Sequence, residues 1–170
     1  MVDQLLGGLF GGSDADDDTG RRGRANDFVS RYEQGAPHEG YGDDEVLHNY
    51  RAVGRKLPPQ EFEDAAAQAF GRMSTDDRKQ YRKMMREKSG GRFDSQSEDP
   101  RELAQTTSRY RQEESGGLLG MFGLGDDNDD GKRGNLVSGQ AGGGGMMDNP
   151  IAKAALAGIG AMAMKKMLSR

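Results

Sequence analysis

Two stretches of the chain, more than a hundred residues apart, repeat one order of parts. Leu5-Leu6-Gly7-Gly8-Leu9-Phe10-Gly11 leads into the acidic run Asp14–Asp18 and then Gly20-Arg21-Arg22-Gly23. Leu118-Leu119-Gly120-Met121-Phe122-Gly123 leads into Asp126–Asp130 and then Gly131-Lys132-Arg133-Gly134. Neither copy carries the material of a folded unit, because glycines set among the apolar residues raise the entropy lost on ordering. Any fold must therefore come from the residues between and behind the copies. A module used twice at the edges of a domain points to attachment or assembly rather than to chemistry.

The supply of core-forming residues is correspondingly thin. Leu, Ile, Val and Phe total 25 of 170 residues, while Gly alone numbers 27. Globular domains usually exceed ~20% in those four apolar types. A net charge of −4 is too small to hold the chain open by self-repulsion. The two facts are reconciled by a small folded middle with Gly-rich, flexible ends. With no cysteine there is no disulfide framework, thiolate nucleophile or Cys-ligated metal. Met1-Val2-Asp3-Gln4 has no basic leader and does not read as a signal peptide, so a cytoplasmic location is expected.

Helix grammar begins at Asn26, an N-cap for a first helix carrying Phe28, Val29 and Tyr32. A turn-rich connection ends at Gly42. A second helix from Asp43 holds Val46, Leu47, Tyr50, Val53 and Leu57 near the 3.6-residue period. Pro58-Pro59 ends it and opens a third, whose stripe is Phe62, Ala65, Ala66, Ala69, Phe70 and Met73. Ser74 with Asp77 predicts a capping box for a fourth helix running to about Lys88, which Ser89-Gly90-Gly91 stops. Residues 91–98 read as a loose polar connection. Asp99-Pro100 starts a fifth helix with only Leu103 and Tyr110 as large hydrophobes. Asn149-Pro150 starts the last.

The expectation is an all-α protein, a small helical bundle of four to five short helices. It comprises a tail over 1–25, a helical domain over 26–115 with its compact part at 26–88, a Gly/Asp-rich linker over 116–148 and a separate C-terminal helix over 149–170. A unit of some 63 residues lies near the lower limit of unassisted folding, where at most ~3–5 kcal/mol of net stability is expected. Such a unit gains from a partner or from self-association.

The C-terminal helix carries the most specific signal. Ile151 to Met164 is apolar apart from Lys153. It is too short for a simple crossing of a ~30 Å hydrocarbon core. Ala154, Ala157, Gly158 and Ala161 fall on one narrow face, which lets another helix approach closely. Two readings follow: a helix that docks on a partner, a second copy or a lipid surface, or one that folds back into its own bundle. The linker favours the first. The patches Leu5, Leu6, Leu9 and Phe10 and Leu118, Leu119, Met121 and Phe122 are likewise either outward stickers or covers for their own core.

Three other signals are weaker. Asp126, Asn128, Asp130 and Gly131 match the opening positions of a twelve-residue calcium loop, but the position of its bidentate Glu is Val137. Asp14, Asp16 and Asp18 repeat the spacing without the glycine, so a solvated acidic spacer is favoured over a metal site. The fourth helix concentrates Arg78, Lys79, Arg82, Lys83 and Arg86, a face able to meet phosphates. An acidic chain without stacking aromatics beside that face favours plain solvation. His38 and His48 belong to no metal spacing or nucleophile arrangement, and Gly142–Gly145 lacks the Lys and Ser/Thr of a phosphate loop. No catalytic residue, cofactor or small-molecule substrate is assigned.

The strings Asp27-Phe28-Val29-Ser30-Arg31-Tyr32-Glu33-Gln34-Gly35, Gly42-Asp43-Asp44-Glu45-Val46-Leu47 and Leu57-Pro58-Pro59-Gln60-Glu61-Phe62, with Asn149-Pro150-Ile151-Ala152-Lys153-Ala154-Ala155-Leu156-Ala157-Gly158-Ile159, resemble a family of small uncharacterised bacterial proteins. The resemblance implies a bacterial, cytoplasmic setting, with middle and tail belonging to one unit. It brings no site residue. The expected function is non-enzymatic assembly or tethering, by self-association or by docking on a protein or membrane partner. The alternative is nucleic-acid association through the basic fourth helix.

Overall fold

A computed structural model of the protein describes residues 16–35, 40–54, 56–113, 118–119 and 149–169. These form six helices and no strand: α1 (Asp16–Gln34), α2 (Asp43–Gly54), α3 (Pro59–Arg72), α4 (Thr75–Lys88), α5 (Pro100–Glu113) and α6 (Pro150–Leu168). The all-α expectation holds for the described residues.

Several helix ends follow from local chemistry. The Ser74 hydroxyl accepts from the Asp77 N–H at 3.1 Å, and the Asp77 carboxylate accepts from the Ser74 N–H at 3.3 Å. This reciprocal pair satisfies two of the donors left open at the start of α4. Asp99 Oδ1 accepts from the N–H of Arg101 and Glu102 at 2.9 and 3.2 Å, and Asn149 Oδ1 from that of Ile151 at 2.9 Å. Gly90 and Gly91, at φ of 62° and 84°, supply the left-handed backbone that ends α4.

The centre of the bundle is α6. Every residue from Ile151 to Met164 is buried except Lys153. The helix packs against α1, α2 and α3, and more lightly against α4, while α3 also packs along α5. This corrects the separate C-terminal helix expected from sequence. A helix that is apolar all round has no face to leave in water. The small set of large hydrophobes in α1–α5 needs a shared partner, and α6 provides it. Residue 158 must be glycine for this packing. A Cβ there would fall 2.6 Å from the Tyr32 hydroxyl and 2.8 Å from Ala69 Cβ.

The polar groups of α6 confirm its register. Lys153 pairs with Asp43 of α2 at 2.8 Å, Lys166 with Asp64 of α3 at 2.7 Å, and Lys165 with Glu33 of α1. Each lysine thus addresses a different helix. Hydrogen bonding to Lys165 holds the Glu33 carboxyl below its ordinary range. Exposed pairs of this kind add little stability. Lys153, with only 19% of its side chain exposed, is the more strongly held.

Two further boundaries differ from the sequence reading. Helix α1 begins at Asp16, not Asn26, although Gly20 and Gly23 each cost roughly 0.5–1 kcal/mol relative to Ala within a helix. Ala25 is buried in the core, and such tertiary contact outweighs local propensity. Residues 92–99 also fold onto the bundle. Phe93 is buried and meets Tyr110 edge-on at 5.1 Å, and Asp94 and Glu98 reach back to Arg82 on α4. The compact unit therefore extends past residue 88 to include α5 and α6.

Arg111 joins α5 to the end of α2. Its guanidinium donates to the carbonyls of Gly54 and Leu57 and lies 4.1 Å from the Phe62 ring centroid. Hydrogen bonds from a charged donor are among the stronger ones, and desolvated cation–π contacts add to them. Arg111→Ala should cost about 2–3 kcal/mol in a denaturant melt. Arg111→Lys should recover only part, since an ammonium lacks the planar fork. A loss below about 0.5 kcal/mol for Arg111→Ala would be that of an ordinary surface change and would contradict the assignment.

The tyrosines of the core make a second prediction. Burial pushes the Tyr32 and Tyr41 phenols up to about 12, and raises Tyr81 as well. An unfolded chain releases these protons near pH ~10, so the folded state binds more protons above that point. Stability should be intact below about pH 10 and fall as pH rises through the folded values near 12. Denaturant midpoints measured between neutrality and about pH 11 check this; a flat profile would contradict it.

Candidate functional site

The candidate contact residues divide into three groups. Ala154, Ala157, Gly158 and Ala161 form the stripe read as a docking face, and all four are buried. Gly158 lies against Tyr32 of α1 and Ala69 of α3, and a Cβ on Gly160 would come 3.6 Å from the backbone of α2 at Tyr50. The close approach foreseen for this stripe is real, but the approaching helices are its own. In this arrangement the stripe offers nothing to an outside partner.

Leu118 and Leu119 form the second group. They are 1% and 3% exposed and belong to the same continuous core as α1–α6. Of the two readings for this patch, the structure adopts the cover for its own domain. Met121 and Phe122, with Leu5, Leu6, Leu9 and Phe10, lie outside the described residues.

The third group is the basic face of α4. Arg78 donates to the Phe70 and Met73 carbonyls at 3.2 and 2.6 Å, closing the end of α3. Arg82 sits between Asp94 at 3.1 Å and Glu98 at 3.4 Å. Two of the five candidate phosphate contacts are thereby committed to the fold. Lys79, Lys83 and Arg86 remain outward, at 57%, 76% and 67% side-chain exposure. Each still has an acidic neighbour: Asp76 at 3.7 Å, Glu87 at 3.8 Å and Asp94 at 3.8 Å. The excess charge counted along the helix is largely offset in space by acids of the same helix and of the 92–99 segment.

Recesses between helices are not announced by the sequence. Between α1 and α2 lies a cleft of about 550 Å³ lined by Gly20, Gly23, Arg24, Asp27, Arg31, Glu45, His48 and Asn49 among others. Arg31 contacts Asp27 at 2.9 Å and the Gly40 carbonyl at 2.9 Å, and is paired with the Glu45 carboxylate through both terminal nitrogens. Its charge is met by these two acids, and the Glu45 hydrogen bond raises its proton affinity further. The network ties α1 to α2 across the cleft. Its partners are up to 18 residues apart and depend on how α1 and α2 pack, so no local motif announces them. The other histidine, His38, and the acidic run Asp126–Asp130 lie outside the described residues. Asp16 and Asp18 lie on α1, in helical rather than loop backbone. Among the described residues no three His, Asp or Glu side chains gather to hold a metal ion. None of the described helices is long and apolar enough to cross a membrane.

No family model matches the chain, and comparisons with curated proteins and with solved structures return no match.

Proposed function

We propose that this chain is a non-enzymatic assembly or tethering protein whose outward contacts are made by its N-terminal Leu/Phe-Gly patch, with the helical bundle as the body it attaches. The observation that carries this reading is the fate of α6. Its buried length and its lysines are used to close the bundle. With Leu118 and Leu119 also enclosed by the bundle, the N-terminal patch is the apolar, glycine-spaced segment suited to a partner. The first patch, Leu5-Leu6-Gly7-Gly8-Leu9-Phe10, stands only five residues ahead of α1 and so is tethered closely to a folded body. A bacterial cytoplasmic setting, with self-association or a protein partner ahead of a membrane surface, completes the reading.

Light scattering and sedimentation of the full chain and of one lacking residues 1–15, each with and without anionic liposomes, test it. Loss of association or of liposome recovery on truncation is the expected result. Identical behaviour of both proteins in every arm would refute it.

A second reading, phosphate contact by α4, is supported by the outward Lys79, Lys83 and Arg86. Salt-sensitive duplex binding that disappears when these three are replaced by Gln would promote it over tethering.

A further inference from the structure

We infer that the site in the bundle that encloses Leu118 and Leu119 is a receptor for the N-terminal copy of the same motif, supplied by a second copy of this chain. The inference rests on the tethering role proposed above and names the partner. Two observations meet in it. The first is burial: Leu118 and Leu119 are 1% and 3% exposed in one continuous core, so the bundle encloses a Leu-Leu pair. The second is duplication: Leu5-Leu6-Gly7-Gly8-Leu9-Phe10-Gly11 offers the pair again, followed by two glycines, an apolar residue, Phe and glycine where Leu118-Leu119-Gly120-Met121-Phe122-Gly123 has one glycine, an apolar residue, Phe and glycine. An apolar core that takes one Leu-Leu pair is chemically suited to the other. One chain thus brings two ligands of the same chemistry and, among the described residues, one site that takes them.

Tethering decides which copy fills the site at rest. Leu118 follows the end of α5 by four intervening residues, and a short tether gives a local concentration on the order of millimolar. The resident copy therefore holds its own site in dilute protein. The N-terminal copy of another chain displaces it when chains are concentrated or gathered on a scaffold. Because the donating segment and the receiving site are different surfaces, such contacts form a reciprocal pair or a head-to-tail chain. Both raise the mass above that of a monomer.

A fluorescent peptide of residues 1–12 titrated against the full chain, and against the full chain carrying Leu118→Ser and Leu119→Ser, provides the test. Binding is expected to both, at least about tenfold tighter to the variant because the tethered competitor is gone. An unlabelled peptide of residues 117–123 should displace the probe, and a probe with Leu5→Ser and Leu6→Ser should not bind. Should the serine variant fail to fold, Leu118→Ala with Leu119→Ala replaces it, and displacement on the unaltered chain stands as the deciding readout. Absence of binding, equal affinity for chain and variant, or a probe that residues 117–123 cannot displace would overturn the inference. If truncation of residues 1–15 still abolishes association while the peptides fail to compete, the tethering role survives and only this receptor site falls.

Discussion

A chain ending at Asp148 is expected to show no cooperative thermal transition and to lose much of its helical signal. Helix α6 contributes Ile151, Leu156, Ile159, Met162 and Met164 to the interior, all at most 6% exposed, together with a run of buried alanines. Burying a large aliphatic side chain is worth about 1.5–3 kcal/mol, so these five alone represent roughly 8–15 kcal/mol. The whole net stability of a domain is ~5–15 kcal/mol. Removing α6 also uncovers the faces of α1, α2 and α3 that it packs against, including Tyr32 and Ala69 at Gly158 and Tyr50 at Gly160. The expected consequence is unfolding of the bundle, and a peptide of residues 149–170 added in trans should restore the transition. A truncated protein that melts at the full-length midpoint would contradict this. Circular dichroism over a temperature ramp reads both outcomes. Any loss of association seen on C-terminal truncation must accordingly be read beside a folding measurement.

Gly158→Ala carries the second large effect, and its sign is diagnostic. In an exposed helix the change stabilises by about 1 kcal/mol, since glycine is the poorer helix former. Here the added methyl would lie 2.6 Å from the Tyr32 hydroxyl oxygen and 2.8 Å from Ala69 Cβ. Neither neighbour yields easily, because both are wholly buried on packed helices. Overpacking of this kind costs about 1–3 kcal/mol, and the Ala69 contact places the expected loss near 2 kcal/mol in a urea melt. Tyr32→Phe separates the two contacts. The Tyr32 hydroxyl is buried without a hydrogen-bond partner among the described residues, so its removal alone should be neutral or stabilising, by up to about 1 kcal/mol. With Tyr32→Phe in place, Gly158→Ala should cost less than on its own, with a coupling of at least about 0.5 kcal/mol. Residual loss in the double variant then belongs to Ala69. A stabilising Gly158→Ala would show that α6 does not lie against α1 and α3.

The contrast between local and distant information explains what could be read in the sequence. The caps at Ser74, Asp99 and Asn149 use donors two or three residues away, and each was legible as a short string. The stripe from Phe62 to Met73 was legible because periodicity alone identifies a buried face. The destination of α6 was not. Its apolar residues surround the helix and give no direction, and the lysines that fix its place find Asp43, Glu33 and Asp64 roughly a hundred residues earlier. Its small residues were correctly read as permitting close approach, but composition cannot say whether the approaching helix belongs to the same chain. The charge balance of α4 is hidden from the sequence for a related reason. Counting charges along one helix omits Asp94 and Glu98, which return across a turn to hold Arg82. Phe93 and Ala25 sit in polar or glycine-rich surroundings, where only tertiary contact reveals a role. The Leu118-Leu119 pair was readable as apolar and repeated. That it is enclosed by its own bundle depends on a site no linear motif describes.

Hydrogen–deuterium exchange of the amides of residues 151–164, in dilute full-length protein without partner or lipid, bears most directly on all of this. With α6 as the interior of its own bundle, these amides should be among the slowest in the chain and exchange only with global unfolding, matching the stability from denaturant melts. Exchange of 151–164 within seconds, while α3 and α5 remain protected, would mean that the helix lies outside the fold and that the bundle stands without it.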